Sequence, residues 1–294
     1  MPLWIRYDGL EAGGHRGSDV VINDAAPVST DIRFDRTDRL GRDGQVAGRD
    51  FITKKVWDLT LYTNKRTEDE AVSLASAWEQ AWHDPDVRSG MRLVPLEYSR
   101  DHETWFRVYG RPALFTGPKL GVQTRLGAGQ IDLQFEQLDP LHYRSSESTA
   151  RVNVVAAEST DGWLTPFVFP LVSTVSGEPR AGSIVNAGDR PAVVRVRFQG
   201  PCSNPRVWAD GFEAGYRGSL AHDQSVTLDG REMTAVLRGG GRSPRHVAGS
   251  VTRKTRLSKL TVPPGTSNLW FEADDSTGTS YVDVFWRDAF TSMQ

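Results

Sequence analysis

The feature that most limits the possible folds of this chain is a recurring two-residue alternation of apolar and polar side chains. In residues 130–136, Ile131, Leu133 and Phe135 alternate with polar residues, so an extended strand here has one apolar face and one polar face. Residues 194–198 repeat the pattern, with arginines between the apolar positions. These runs are short and are separated by many of the 28 glycines and 16 prolines, which favour turns. The pattern predicts a mainly β protein built from short strands.

One segment, residues 67–84, departs from this alternation and predicts an amphipathic helix. Its apolar residues recur at intervals of three and four, at Ala71, Val72, Ala75, Trp78 and Trp82. Thr67 and Glu70 have the spacing of a capping box at the start of the helix. Asp84-Pro85 ends it, because the residue before proline disfavours helical backbone. We expect the two tryptophans to fix this helix against a sheet.

The length of 294 residues lies where chains usually divide into two domains. A polar stretch at residues 144–151 interrupts the alternation, and we place the boundary there, giving domains 1–145 and 146–294. In the second domain the alternation resumes at Pro191, with turn signals that include Asp210-Gly211 and Asp229-Gly230. This spacing is typical of an antiparallel sandwich.

The sequence contains no common catalytic motif. It has no Gly-x-Ser-x-Gly elbow, no P-loop and no Gly-x-Gly-x-x-Gly that opens a helix. Its six histidines are scattered singly, and Cys202 is the only cysteine, so neither a zinc site nor a disulfide framework is indicated. A formal charge of −2 argues against a dedicated nucleic-acid binder. We therefore expect a protein that is not an enzyme and that has no catalytic residues, no metal site and no cofactor.

No segment predicts a membrane helix or a secretory signal. The most apolar stretch, Trp163 to Val175, is shorter than the ~20 residues that cross a bilayer, and Pro166 and Pro170 interrupt it. Residues 1–9 carry charge and lack an apolar core. We expect a protein that is made in the cytoplasm and has no membrane partner.

The segment from Arg33 to Arg49 is polar, rich in glycine and mixed in the sign of its charges. This composition predicts a long exposed loop or an extended hairpin, and such long polar segments in compact domains are usually functional or disordered. Arginine suits protein interfaces because its planar guanidinium binds carboxylates through two hydrogen bonds. We expect Arg39, Arg42 and Arg49 to lie at a protein interface.

A second charged segment, Arg238 to Lys259, holds seven basic residues, no acidic residue and three consecutive glycines. We expect a mobile basic loop. It lacks the interleaved aromatic residues that stack on bases, so we assign Arg242, Arg245 and Arg253 to contacts with other proteins.

The residues also leave open a carbohydrate site. Asn268, Trp270 and Glu272 alternate along one predicted strand, and sugar sites of the galectin type combine a stacking tryptophan with polar residues at alternate positions. No histidine lies near them. The competing interpretation is that Trp270 and Trp286 fill the core of the second domain.

The order of segments in the second half resembles that of a known family. The relevant segments are Gly188-Asp189-Arg190-Pro191 before a strand at 193–198, then Val226-Thr227-Leu228-Asp229, then residues 260–268 with Pro263-Pro264-Gly265, and a closing Val282-Asp283-Val284-Phe285-Trp286-Arg287. Together with the β-rich first half and its single helix, this order resembles the distal tail (Dit) proteins of siphophages, particularly those that infect actinobacteria.

The resemblance implies a mainly β fold, with an N-terminal split β-barrel carrying one helix and a C-terminal galectin-like antiparallel β-sandwich. It implies a structural protein of the phage tail tip, whose N-terminal domain forms a hexameric ring between the tail tube and the tip or baseplate. The implied partners are further copies of the chain, the tail tube protein, and tail-tip hub, tail-fibre or receptor-binding proteins. DNA would pass through the ring without specific binding. The location would be the virion tail, assembled in the host cytoplasm. The alternative function is a carbohydrate-binding, host-adhesion protein of the tail.

Overall fold

The computed structural model describes residues 3–14, 17–90, 92–154, 180–275 and 277–293. The apolar stretch Trp163 to Val175 lies outside the described residues. The chain divides into two compact units: residues 1–145 with 291–294, and residues 146–290. None of the described helices is long and apolar enough to cross a membrane.

The elements of the first unit are β1 (Trp4–Tyr7), β2 (Leu10–Gly13), β3 (Val20–Arg33), β4 (Arg36–Asp38), β5 (Gln45–Ala47), β6 (Phe51–Thr63), α1 (Glu68–Trp82), α2 (Pro85–Ser89), β7 (Val94–Ser99), β8 (Phe106–Thr116), α3 (Val122–Arg125), β9 (Gln130–Gln137) and β10 (His142–Arg144). The strands of the second unit are β11 (Ser148–Asn153), β12 (Arg180–Asn186), β13 (Ala192–Gln199), β14 (Cys202–Ala209), β15 (Phe212–Gly215), β16 (Ser219–Leu220), β17 (Ser225–Asp229), β18 (Thr234–Gly239), β19 (Arg242–His246), β20 (Thr261–Val262), β21 (Gly265–Asp274), β22 (Tyr281–Trp286) and β23 (Ala289–Phe290). Two short 3₁₀ helices, Ala248–Ser250 and Leu257–Lys259, lie between β19 and β20.

The first unit is a closed β-barrel. Its strands follow the order β8-β7-β1-β2-β3-β6-β9, and β9 pairs back onto β8 to close the sheet. Gly110 lies at this seam, where a Cβ atom would overlap the carbonyl oxygen of Glu136. The predicted alternation places Ile131, Leu133 and Phe135 of β9 in the barrel core, which confirms this strand.

Helix α1 packs its apolar face against the barrel, as its periodicity predicts. Thr67 caps the helix, and its Oγ1 accepts a hydrogen bond from the Glu70 backbone N–H at 3.3 Å. The Glu70 carboxylate accepts from the backbone N–H of Arg66 at 3.2 Å, one residue earlier than in the predicted capping box. Trp78 and Trp82 are fully buried, so their expected role as packing residues is confirmed.

The second unit is an antiparallel β-sandwich. One sheet has the strand order β11-β22-β13-β17-β18-β19, with β20 beside β13, and the other has the order β12-β21-β14-β15, with β16 beside β14. The inner faces meet in an apolar core, where the rings of Phe198 and Phe271 stack with their centroids 6.2 Å apart. The mainly β fold with a barrel, one long helix and a sandwich agrees with the predicted fold class.

Candidate functional site

The longest strands of the barrel, β3 and β6, continue beyond it as a hairpin. Strand β9 accompanies β6 from Lys55 to Tyr62, whereas the pairs Ile32 with Ile52 and Arg33 with Phe51 lie beyond that point. Every residue from 30 to 53 is exposed. We call residues 30–53 the arm.

The arm is an ordered hairpin whose outer part is held by its own hydrogen bonds. Strands β4 and β5 pair from Arg36 with Ala47 to Asp38 with Gln45. The Gln45 side-chain amide donates to the Asp38 carboxylate at 2.8 Å. In the turn between these strands, Gly41 and Gly44 adopt φ angles of 69° and 98°, a region that glycine enters without strain. This confirms the hairpin form of the predicted Arg33 to Arg49 segment.

The arm carries a large apolar surface that the sequence analysis missed. Its exposed apolar residues are Ile32, Phe34, Leu40, Val46, Phe51 and Ile52. Arginines lie over its aromatic rings: the Arg36 guanidinium is 4.3 Å from the Phe34 centroid, and that of Arg49 is 5.3 Å from the Phe51 centroid. Clustered exposed apolar residues with arginine are typical of protein-binding surfaces. The signal in the sequence was the alternation of Ile32 and Phe34 at the start of the segment from Arg33 to Arg49, which was judged polar by its charges.

Two of the three predicted interface arginines lie at the tip of the arm. Arg39 and Arg42 flank Leu40 in the turn between β4 and β5, and the Arg39 backbone N–H donates to the Gly44 carbonyl at 3.1 Å. Arg49 lies nearer the barrel, beside Phe51. The structure therefore places these arginines on one exposed hairpin, and their interface role stays a prediction.

The basic segment from Arg238 to Lys259 differs from the expected mobile loop. Most of its first part forms the β18–β19 hairpin, in which Arg245 is paired with Leu237 and Arg242 with Gly239. The three consecutive glycines make the turn, with φ angles between 64° and 97°, so glycine supplies a sharp reversal here and not a flexible linker. Arg242, Arg245 and Arg253 are all exposed.

The two tryptophans expected in the sandwich core lie in different environments. Trp286 is buried, and its indole N–H donates to the Val185 carbonyl at 3.0 Å. Trp270 instead lies half-buried on the outer face of its sheet, opposite Trp208 of β14. The core expectation is thus confirmed for Trp286 and wrong for Trp270. The Arg206 guanidinium lies 4.8 Å from the Trp208 centroid.

The described residues show no group of three or more His, Cys, Asp and Glu side chains arranged to hold a metal ion. Burial raises the pKa of the Cys202 thiol to about 11, so the thiolate required of a nucleophile is scarce near neutral pH.

Among solved structures, the SPP1 Dit protein, a hub adsorption protein of phages that infect Gram-positive bacteria, matches with a TM-score of 0.59 and 14% identity over 98% of this chain and 99% of that chain. A chain of the phage p2 baseplate in its activated conformation with Sr matches with a TM-score of 0.55 and 12% identity, over 97% of both chains. The same baseplate with Ca gives a TM-score of 0.53 and 11% identity, over 97% of this chain and 98% of that chain. The chain therefore has the fold of the phage distal tail (Dit) proteins. Neither a protein-family model nor a curated protein matches it.

Proposed function

We propose that this chain is a structural, non-enzymatic component of a phage tail tip, located in the virion tail and assembled in the host cytoplasm. Several copies, six by the resemblance, form a ring that joins the tail tube to the tip or baseplate and leaves a channel for DNA. The fold shared with the SPP1 Dit hub protein and the p2 baseplate chains supports this role.

The observation that carries the proposal is the arm. The arm is a 24-residue hairpin (residues 30–53) that holds apolar side chains such as Phe34 and Leu40 in water. Burying apolar surface stabilises a protein by roughly 25 cal/mol per Å², so a monomer forgoes this stabilisation at the arm. An assembly that covers the arm recovers this free energy. Arg39, Arg42 and Arg49 supply directional polar contacts to the covering subunit or to the tail tube protein.

The test of this role is reversal of charge at the tip. We expect tails that carry Arg39→Glu with Arg42→Glu to lack the ring or to stop at the tube end, as seen by electron microscopy. Arg100→Glu with Arg125→Glu is the matched control, because both arginines are exposed on the first unit outside the arm. Normal tails from the tip variant, or an equal defect from the control, would remove the assigned role of the arm.

The channel must let DNA slide, so its wall should not be basic. Each lysine or arginine that faces the phosphates adds salt-dependent attraction. We assign Arg242, Arg245 and Arg253 to outer contacts with tail-tip hub, tail-fibre or receptor-binding proteins, and the lumen to neutral or acidic side chains of the first unit. A tail reconstruction with any of these three arginines on the channel wall would refute the assignment.

A second candidate, carbohydrate binding for host adhesion, is favoured by one observation. Trp208 and Trp270 are opposite each other on the outer face of a sheet, and Asn268 and Glu272 are exposed on the same face of β21. Flat aromatic rings beside polar side chains suit a sugar ring, because its C–H face packs on the aromatic ring while its hydroxyls take hydrogen bonds.

One variant, Trp270→Ala, distinguishes the two candidate functions. If Trp270→Ala abolishes binding to host cell-wall polysaccharide and leaves tails intact, adhesion replaces architecture as the main function. If Trp270→Ala binds polysaccharide as well as the unchanged chain does, this candidate is withdrawn. Trp270→Phe, which keeps an aromatic face, is the matched control and should retain binding.

A further inference from the structure

Five aspartates of the chain are followed directly by glycine: Asp8, Asp43, Asp161, Asp210 and Asp229. Glycine has no side chain to crowd its amide nitrogen, so in an Asp-Gly pair this nitrogen can attack the carboxyl carbon of the aspartate side chain. Asp161 lies outside the described residues. The other four pairs lie in or beside turns, and these turns differ in how firmly the surrounding structure holds them.

The pair Asp229-Gly230 is held on both sides of the bond that would form. The Asp229 carboxylate accepts hydrogen bonds from the backbone N–H groups of Arg231 at 2.8 Å and Glu232 at 3.0 Å. The Gly230 N–H donates to the Val194 carbonyl at 3.2 Å, and Gly230 is buried. Attack would break these hydrogen bonds within a packed sandwich, which is costly. This pair is therefore protected.

Two other pairs form tight two-residue turns. Asp8-Gly9 joins the paired residues of β1 and β2, and Asp210-Gly211 joins those of β14 and β15. A Cβ atom on Gly211 would lie 2.7 Å from the Thr261 carbonyl oxygen, so the chain also packs closely against that turn. The attack requires rotation of the aspartate backbone, and the strand pairs that flank a two-residue turn oppose this rotation.

Asp43-Gly44, at the tip of the arm, is held by none of these contacts. Strands β4 and β5 end before it, which leaves a longer turn over residues 39–44, and every residue of this turn is exposed. One hydrogen bond, from the Arg39 N–H to the Gly44 carbonyl, closes the turn. Among the described residues, the Asp43 carboxylate and the Gly44 N–H have no hydrogen-bond partner. A turn with so few contacts opens easily, so the two reacting groups can meet.

We infer that Asp43-Gly44 is a site of spontaneous conversion to isoaspartate, and that assembly stops the conversion by covering the tip of the arm. The second half of the inference rests on the proposed function. The Gly44 nitrogen attacks the Asp43 carboxyl carbon to form a C–N bond, and the N–H proton leaves with the carboxyl hydroxyl as water. Water then opens this cyclic imide. Addition at the main-chain carbonyl yields isoaspartate, and addition at the side-chain carbonyl restores aspartate, so water is the only co-reactant.

The product alters the tip that the proposed ring uses. In isoaspartate the main chain runs through Cβ and Cγ, so the turn gains a methylene carbon while its charge stays the same. Arg42 and the hydrogen bond from Arg39 to Gly44 then lose their positions around Leu40. A free chain therefore loses its competence to assemble as it ages, whereas a chain already in the tail keeps its tip unchanged.

Peptide mapping of the full chain tests the site. The free chain and tails that contain it are stored side by side near neutral pH and digested. Isoaspartate in each peptide is quantified by electron-transfer fragmentation and by methylation with protein isoaspartate methyltransferase. In the free chain, Asp43 should convert several-fold faster than Asp8, Asp210 or Asp229, and in tails its conversion should fall several-fold. Asp43→Glu is the matched control, because it keeps the carboxylate but requires a less favourable six-membered ring, and it should not convert.

Two outcomes would overturn the inference. Isoaspartate that forms no faster at Asp43 than at Asp229 in the free chain would remove the modification site. Equal rates at Asp43 in the free chain and in tails that carry the ring would remove the protective effect of assembly and leave the ring itself standing. Tails without any ring of this chain would overturn the proposed function, while the measurement on the free chain would still decide the modification site.

Discussion

His142 gives the sharpest prediction about stability. It is 2% exposed, and its Nδ1 lies 2.8 Å from the Tyr98 hydroxyl. Burial, with a smaller contribution from the nearby Lys55 cation, lowers its pKa from 6.5 to about 4, and Asp139 opposes this only in part. The barrel is thus folded around a neutral imidazole.

The direction and size of the change in the free energy of unfolding with pH follow from the two pKa values of His142, in the unfolded and the folded chain. Between pH 6.5 and about 4 the unfolded chain binds this proton and the folded chain does not, so acid favours the unfolded state. The stability that the neutral His142 ring contributes is fully present above its pKa in the unfolded chain, 6.5. This stability is lost as the pH falls towards its pKa in the folded chain, about 4. At about 1.36 kcal/mol per pH unit the loss is about 3 kcal/mol. A loss of this size lowers the midpoint of thermal unfolding by on the order of 6–12 °C.

The assay compares the unchanged chain with His142→Asn at pH 7 and pH 4. Urea-dependent hydrogen exchange in peptides of β6 and β9 reports the free energy of unfolding of the barrel. In the unchanged chain the free energy of unfolding should be lower at pH 4 than at pH 7. We expect this pH-dependent loss to be about 3 kcal/mol smaller in His142→Asn. His83→Asn, which removes an exposed histidine, is the control and should keep the full difference. Equal differences in the unchanged chain and in His142→Asn would refute the reasoning.

Three further substitutions test the packing of the two units by urea unfolding. Trp82→Ala removes a fully buried ring from α1 and should cost about 3–5 kcal/mol through the cavity it leaves; a loss below about 1 kcal/mol would contradict the packing described. Gly110→Ala places a methyl group against the Glu136 carbonyl at the barrel seam and should lower the free energy of unfolding by on the order of 3 kcal/mol. Gly9→Ala is the control for steric overlap, because its methyl group meets no atom within 4 Å. It should cost less than Gly110→Ala, although Gly9 has a positive φ angle. Asp283→Ala removes a buried carboxylate that accepts from Arg151 and Arg197 at 2.6 Å each; because both arginines regain water easily, the expected loss is about 2 kcal/mol, and high salt should leave most of it in place.

The elements that the sequence predicted well are those set by local chemistry. The alternation at Ile131, Leu133 and Phe135 identified β9, because strand parity acts within a few residues. The start of α1 was predicted from Thr67 and Glu70, because a helix cap involves residues three positions apart. Closure of the barrel between β8 and β9 was not predicted from these patterns, since it joins strands separated by a helix and a turn.

The arm shows where a local pattern misleads. Alternating apolar residues such as Ile32 and Phe34 ordinarily predict a strand with one buried face. Here both are exposed, because the described strands beside β3 and β6 end before the arm begins. Whether a strand has a neighbouring strand is decided by distant parts of the chain. The exposed apolar surface of the arm could therefore not be predicted from the local sequence pattern and is seen only in the structure.

Trp270 and Trp286 show that strand parity, applied strictly, also separates core tryptophans from surface tryptophans. Trp286 shares its parity with Val282 and Val284, and all three lie in the core. Trp270 lies between Leu269 and Phe271, which are buried, so a period of two must turn it outward. A tryptophan out of phase with its apolar neighbours contributes little to the core. Like the apolar residues of the arm, it therefore presents apolar surface on the outside of its unit.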